Sequence, residues 1–123
     1  MGGERLEVGI KSYEDLEVYQ EGFRLAIQTH KLTQSLPAEE KRELGYQLRR
    51  AAISIPANIA EGYGRKNSAL EFKHFLRNAL GSSNEVCVLL KLAKEFKYLD
   101  DHEMIDKYEL LGKKLYRLIE SWK

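Results

Sequence analysis

A chain of 123 residues with 43% hydrophobic and 32% charged residues has the composition of one globular domain with one core, which excludes a wholly disordered chain. The net charge of +1 excludes a strongly basic protein, so overall electrostatics do not announce nucleic acid. A single cysteine, Cys87, excludes an intrachain disulfide and fits a reducing compartment.

Residues 1–11 show no hydrophobic period and are expected to form a loose arm ahead of a bundle over residues 12–123. The arm lacks the apolar centre of a signal peptide. Leu6 stands where a myristoylation signal needs Ser or Thr. No apolar run approaches the roughly 18 residues of a membrane span, so a cytoplasmic address without membrane contact is expected.

Four helices are predicted. The first runs from Ser12 to Ser35, with Ser12 and Asp15 as a capping pair. The second starts at Pro37, a favoured first-turn residue, followed by Glu39 and Glu40, which suit the positive end of the helix dipole. It ends near Gly62–Gly64, where glycine can adopt a left-handed cap. The third starts at Ser68, capped with Glu71, and reaches about Lys97; the fourth starts at Asp100 with Glu103 and runs to the end. Short connections favour an all-α, antiparallel, up-down-up-down four-helix bundle.

Each helix has an apolar stripe at spacings of three and four. The core-facing sets are Leu16, Tyr19, Phe23, Ile27 and His30 on the first helix, and Leu44, Leu48, Ala51, Ile55 and Ile59 on the second. The third contributes Phe72, Phe75, Leu76, Ala79, Val86, Leu90 and Ala93. The fourth contributes Met104, Tyr108, Leu111, Leu115, Leu118 and Trp122. Second stripes remain: Val18, Leu25, Leu32 and Leu36, and then Tyr46, Ile53, Ala57 and Ala60. They pack either on a second neighbour within the bundle or on another subunit. Pro56 lies inside the second helix, where it frees the carbonyl of Ala52 and should bend the axis; the Ser54 hydroxyl is a candidate to take over a freed backbone group.

Arg50, Ser54, Asn58 and Glu61 fall on one helical line between apolar flanks. The line is either a polar binding strip or a hydrogen-bonded seam that sets helix register, and the seam is favoured. Residues 37–78 carry eight Lys/Arg against five Asp/Glu, a local excess of +3. It includes Arg49 with Arg50, Arg65 with Lys66, and Lys73 with Arg77. These are either solvated surface or phosphate contacts, with Tyr63 between two glycines as a ring on which a base could stack. Glu85 is expected to pair at a seam, with Arg50 as one partner, and Cys87 to be a small buried apolar group. The three histidines lack metal-ligand spacing. No catalytic constellation emerges, so no enzyme, metal, cofactor or small-molecule substrate is expected.

The segment from Leu48 to Arg65, with paired arginines, Ser-Ile-Pro and Asn-Ile-Ala-Glu-Gly, resembles the proteins encoded in intervening sequences of bacterial 23S rRNA genes. These are similar in turn to the accessory variability proteins of diversity-generating retroelements. Asp15-Leu16-Glu17-Val18, Glu71-Phe72, Phe75-Leu76 and Ala79-Leu80-Gly81-Ser82 with Glu85 extend the match from Tyr13 to Trp122. The resemblance implies a four-helix bundle in a ring, a homopentamer, with RNA, DNA or a reverse transcriptase as partner and no enzymatic activity. It marks Arg49, Arg50, Ser54, Asn58, Glu61, Gly62 and Glu85 as signature positions.

Overall fold

In the computed structural model, residues 9–123 are described, so most of the expected N-terminal arm, including Leu6, lies outside the described residues. Ser12 and Asp15 do form a capping box, but on a separate 3-10 turn, Tyr13–Asp15. The Asp15 carboxylate accepts the backbone N–H of Lys11 and Ser12 at 2.8 and 3.2 Å. Those hydrogen bonds hold its pKa below the usual carboxylate value. Leu16 is then extended and buried, and helix α1 covers Glu17–Leu32. A second 3-10 turn, Thr33–Ser35, leads to Pro37.

The predicted second helix is two. A short α2, Ala38–Arg42, is separated from α3, Leu44–Tyr63, by Glu43 at φ −92° and ψ −78°. Helix α3 continues through Pro56. Its end is also not the one expected: Gly64 is right-handed at φ −63°, so no left-handed glycine closes it. Helix α4 covers Ala69–Glu95, with the Ser68 hydroxyl accepting the N–H of Glu71. Helix α5 covers His102–Ser121 and is capped by Asp101, one residue later than Asp100, through the N–H of Met104 at 2.9 Å. Lys97, at φ 66°, makes the corner before it.

The four long helices share one core, and no strand occurs among the described residues. Helix α3 packs on both α1 and α4, and α5 packs on α4 and, more lightly, on α1. The predicted stripes of the second and fourth helices are buried throughout. Helix α1 corrects its prediction. Val18, Leu25 and Leu36 are buried, while Phe23 and Ile27 are about half exposed and His30 is exposed. The line actually buried, Val18, Gly22, Leu25 and Thr29, is interrupted by a glycine and a threonine, which hid it from an apolar count. Both interruptions have packing reasons. A Cβ at Gly22 would lie 3.1 Å from Ile55 and 3.5 Å from the Pro56 ring, so only a bare backbone lets α1 approach α3 there. Thr29 bonds the Tyr108 hydroxyl at 2.7 Å inside the core, and Ser83 donates to the Tyr108 carbonyl at 3.0 Å. These buried polar groups therefore carry little desolvation penalty. Cys87 is buried as expected, and burial raises its thiol pKa. No described helix is long and apolar enough to cross a membrane.

Candidate functional site

Of the signature residues, Ser54 and Gly62 lie where α3 meets α4, and Arg50 and Glu85 are near enough for their charges to interact, while Arg49 lies on the side of α2. Two features bring α3 and α4 close. Gly62 faces α4, and a Cβ there would stand 2.6 Å from the Cβ of Phe75 and 3.1 Å from the Phe72 ring. Eight residues earlier, the Ser54 hydroxyl bonds that of Ser82 across the seam. Ser54 also donates to the carbonyl of Ala51 at 2.9 Å. That differs from the expected role beside Pro56, because the carbonyl freed by the proline is that of Ala52. The Asn58 amide donates to the Ser54 carbonyl at 2.8 Å. The polar line thus divides: Ser54 crosses between helices, while Asn58 and Glu61 make contacts within α3 and its following turn.

Each basic doublet also divides. Arg49 is half-buried and donates to Thr33 Oγ1 at 3.1 Å and the Lys41 carbonyl at 3.3 Å, tying α2 and the turn before it onto α3. Arg50 points outward, donates to Tyr46 Oη at 3.2 Å and lies 5.7 Å from that ring's centroid. The Tyr46 hydrogen bond, and after it the charge of Glu85, hold its guanidinium above the usual pKa. Glu85 itself is exposed. Arg65 bridges Glu61 at 3.0 Å and Glu71 at 3.4 Å, and rests 5.2 Å from the Phe75 ring. The Glu61 contact, then Glu71, raise its pKa. Lys66 lies 5.0 Å from the Tyr63 ring. Lys73 is half-buried and Arg77 exposed on the first turns of α4. Of these six cations only Arg65 has an intrachain carboxylate partner among the described residues; Arg49 is taken up by Thr33 and the Lys41 carbonyl, and Arg50, Lys66, Lys73 and Arg77 have no such partner.

Large apolar side chains remain exposed on three of the helices among the described residues. They include Phe23 and Ile27 on α1, Tyr46 and Ile53 on α3, and Val88, Leu92 and Phe96 on α4, each between 42% and 58% exposed. Tyr46 and Ile53 belong to the predicted second stripe of α3. That of α1 is in the core; of the residues first assigned there, Leu16 is buried and Tyr19 packs against the core, while Phe23, Ile27 and His30 are outside.

A helical-bundle protein with exposed apolar and basic side chains on its long helices is what the described elements define. The family model of the 23S rRNA-intervening sequence protein matches residues 14–120, and the chain belongs to that family. No curated protein matches it. The family's description assigns no catalytic activity and leaves its biochemical role open.

Proposed function

We propose that this protein is a non-enzymatic, antiparallel up-down-up-down bundle that assembles as a cyclic homo-oligomer, a homopentamer, and binds nucleic acid. RNA is the first candidate, with DNA or an RNA-handling protein such as a reverse transcriptase beside it, as in the accessory variability proteins the sequence resembles. The observation that carries the proposal is the set of exposed large apolar side chains on α1, α3 and α4. Soluble chains seldom leave large contiguous apolar patches in water, so burial against a second copy accounts for them. Gly81 supports this. It is exposed in the middle of α4 with nothing within 4 Å of the place a Cβ would occupy. Glycine there costs about 1 kcal/mol relative to alanine, and no contact within the chain requires it. Close approach by another helix would.

A ring multiplies the small basic excess of each subunit, and avidity then compensates for weak single contacts. The test pairs light scattering with gel mobility of structured RNA at two salt concentrations. An oligomeric mass and salt-sensitive binding support the proposal. A mass near 14.3 kDa at micromolar concentration would sink the assembly, and absence of binding at low salt would sink the nucleic-acid role. A second reading, a structural or protein-interaction bundle without nucleic acid, is favoured by the two arginines engaged within the chain, Arg49 and Arg65. It predicts an oligomer that leaves RNA unshifted.

A further inference from the structure

At one end of the bundle, three separated parts of the chain meet around a cleft of about 430 Å³. Lys11 comes from the segment before α1, Tyr63, Lys66 and Asn67 from the α3–α4 turn, and Trp122 and Lys123 from the end of α5. Among the described residues three ammonium groups line it, and no Asp or Glu side chain does. Three other clefts mix their charges. The one beside Gln28 includes Asp101 and Glu103, that beside Tyr98 includes Asp100, and that beside Leu111 includes Glu21. Elsewhere on the surface Lys91 pairs with Glu109 at 3.2 Å and Lys107 with Glu103 at 3.5 Å. Asp15 is near enough to Lys11 for the two charges to interact, but its carboxylate is engaged by backbone N–H groups.

Like charges brought together repel, and an anion between them removes the repulsion. The rest of the lining narrows the anion. Tyr63 and Trp122 both stand edge-on to Phe72, at centroid distances of 6.1 and 4.7 Å, which fixes a rigid aromatic floor. Lys66 lies over the Tyr63 ring, so a group drawn to that ammonium meets an aromatic surface in the same cleft. Asn67 adds an amide that both donates and accepts. A phosphate attached to a planar ring uses all of these features, and bare phosphate uses only the lysines. The volume lies at the small end for ligand pockets and suits a single small unit.

We propose that this cleft binds one nucleotide, with its phosphate between Lys11, Lys66 and Lys123 and its base against the Tyr63–Trp122 floor. The nucleotide is free or carried by a single strand. Only the strand-borne form rests on the nucleic-acid function proposed above.

Trp122 is the only tryptophan, so its emission reports on this cleft alone. The full chain is titrated with short single-stranded RNA, adenosine monophosphate and inorganic phosphate, with inner-filter correction. RNA and the mononucleotide are expected to change Trp122 emission saturably, and phosphate to compete weakly. Lys66→Ala with Lys123→Ala should weaken binding about tenfold or more. It should also flatten the salt slope by about 0.7, for the one single-strand phosphate that these lysines share. The paired Lys→Arg changes should restore both, and melting temperatures should match the wild type because both lysines are exposed.

RNA that shifts in a gel without changing Trp122 emission, and binds the double variant as tightly, overturns the cleft and leaves nucleic-acid binding to other cations. A mononucleotide response lost in the double variant, with no RNA binding, supports the cleft and removes the nucleic-acid function. No response to either ligand overturns both.

Discussion

Helices α3 and α5 are both 20 residues long and both bury a full apolar stripe, yet their outward faces differ. The outer side of α5 is charged, with Glu103, Asp106, Lys107, Glu109, Lys113, Arg117 and Glu120 exposed and only Leu110 and Tyr116 as large apolar groups among them. That of α3 carries Tyr46, Ile53 and Ala57, with Arg50 between them. One helix is finished by water and the other is not. A bundle with a single core requires each helix to be apolar on one side only. In the assembly proposed above, the outer apolar side of α3 is where another subunit would pack.

The largest test of that difference is a buried charge at the outer face. Ile53→Glu should break the assembly into subunits near 14.3 kDa, because a carboxylate desolvated without a partner is costly. Leu110→Glu, an equally drastic change on α5, should leave the mass unaltered. Light scattering on both variants decides the matter, and equal behaviour would erase the distinction between the helices.

The inner faces differ in tightness as well. Gly62→Val on α3 should lower stability toward the upper end of the about 1–3 kcal/mol usual for overpacking, since its Cβ meets the Cβ and ring of neighbouring phenylalanines. Chemical denaturation measures it, and a wild-type midpoint would show that the seam can open freely.

The inner face of α5 supplies a pH effect. Burial pushes the Tyr108 hydroxyl from an ordinary 10.0 up to about 12, partly opposed by its hydrogen bond with Thr29. The unfolded chain therefore releases this proton at lower pH than the folded one. Its stabilising contribution is complete below pH 10 and disappears as pH rises from 10 to about 12, by about 2–3 kcal/mol. Melts across that range should show the loss in the wild type and a smaller one in Tyr108→Phe. Equal slopes would mean that Tyr108 is not the group responsible.

The smallest expected effect has the opposite sign. A Cβ at Gly112 on α5 would make ordinary contacts, 3.5 Å from Leu80 and 3.8 Å from Ser83. Gly112→Ala should therefore raise stability by about 0.5–1 kcal/mol, through the lower entropy cost of alanine in a helix. A lowered melting temperature would show that α5 packs as closely as α3.

Trp122 and Tyr108 were placed correctly in the core from spacing alone, because α5 has one apolar side and a charged remainder. Helix α1 could not be placed this way. Phe23 and Ile27 are as apolar as Val18 and Leu25, and hydrophobicity does not rank two competing stripes. The line that packs is the one whose Gly22 admits Pro56 and whose Thr29 meets Tyr108. Both partners are distant in the chain. The basic doublets were visible as charges, but Arg49 turning inward to Thr33 while Arg50 turns outward depends on which side of α3 each occupies once α1 and α4 are in place.

The sequence by itself determined the helical class, the approximate spans, the caps at Ser12 and Ser68, and the family, because these rest on local spacing and on side chains that bond to their own backbone neighbours. Tertiary structure alone decided the inner stripe of α1, the pairing of Ser54 with Ser82, and the meeting of Lys11, Lys66 and Lys123 around one cleft. Those contacts join residues from 28 to more than 100 positions apart in the chain. Short-range periodicity carries no information about such distances; close packing does, because each helix can seat only where its neighbours leave room.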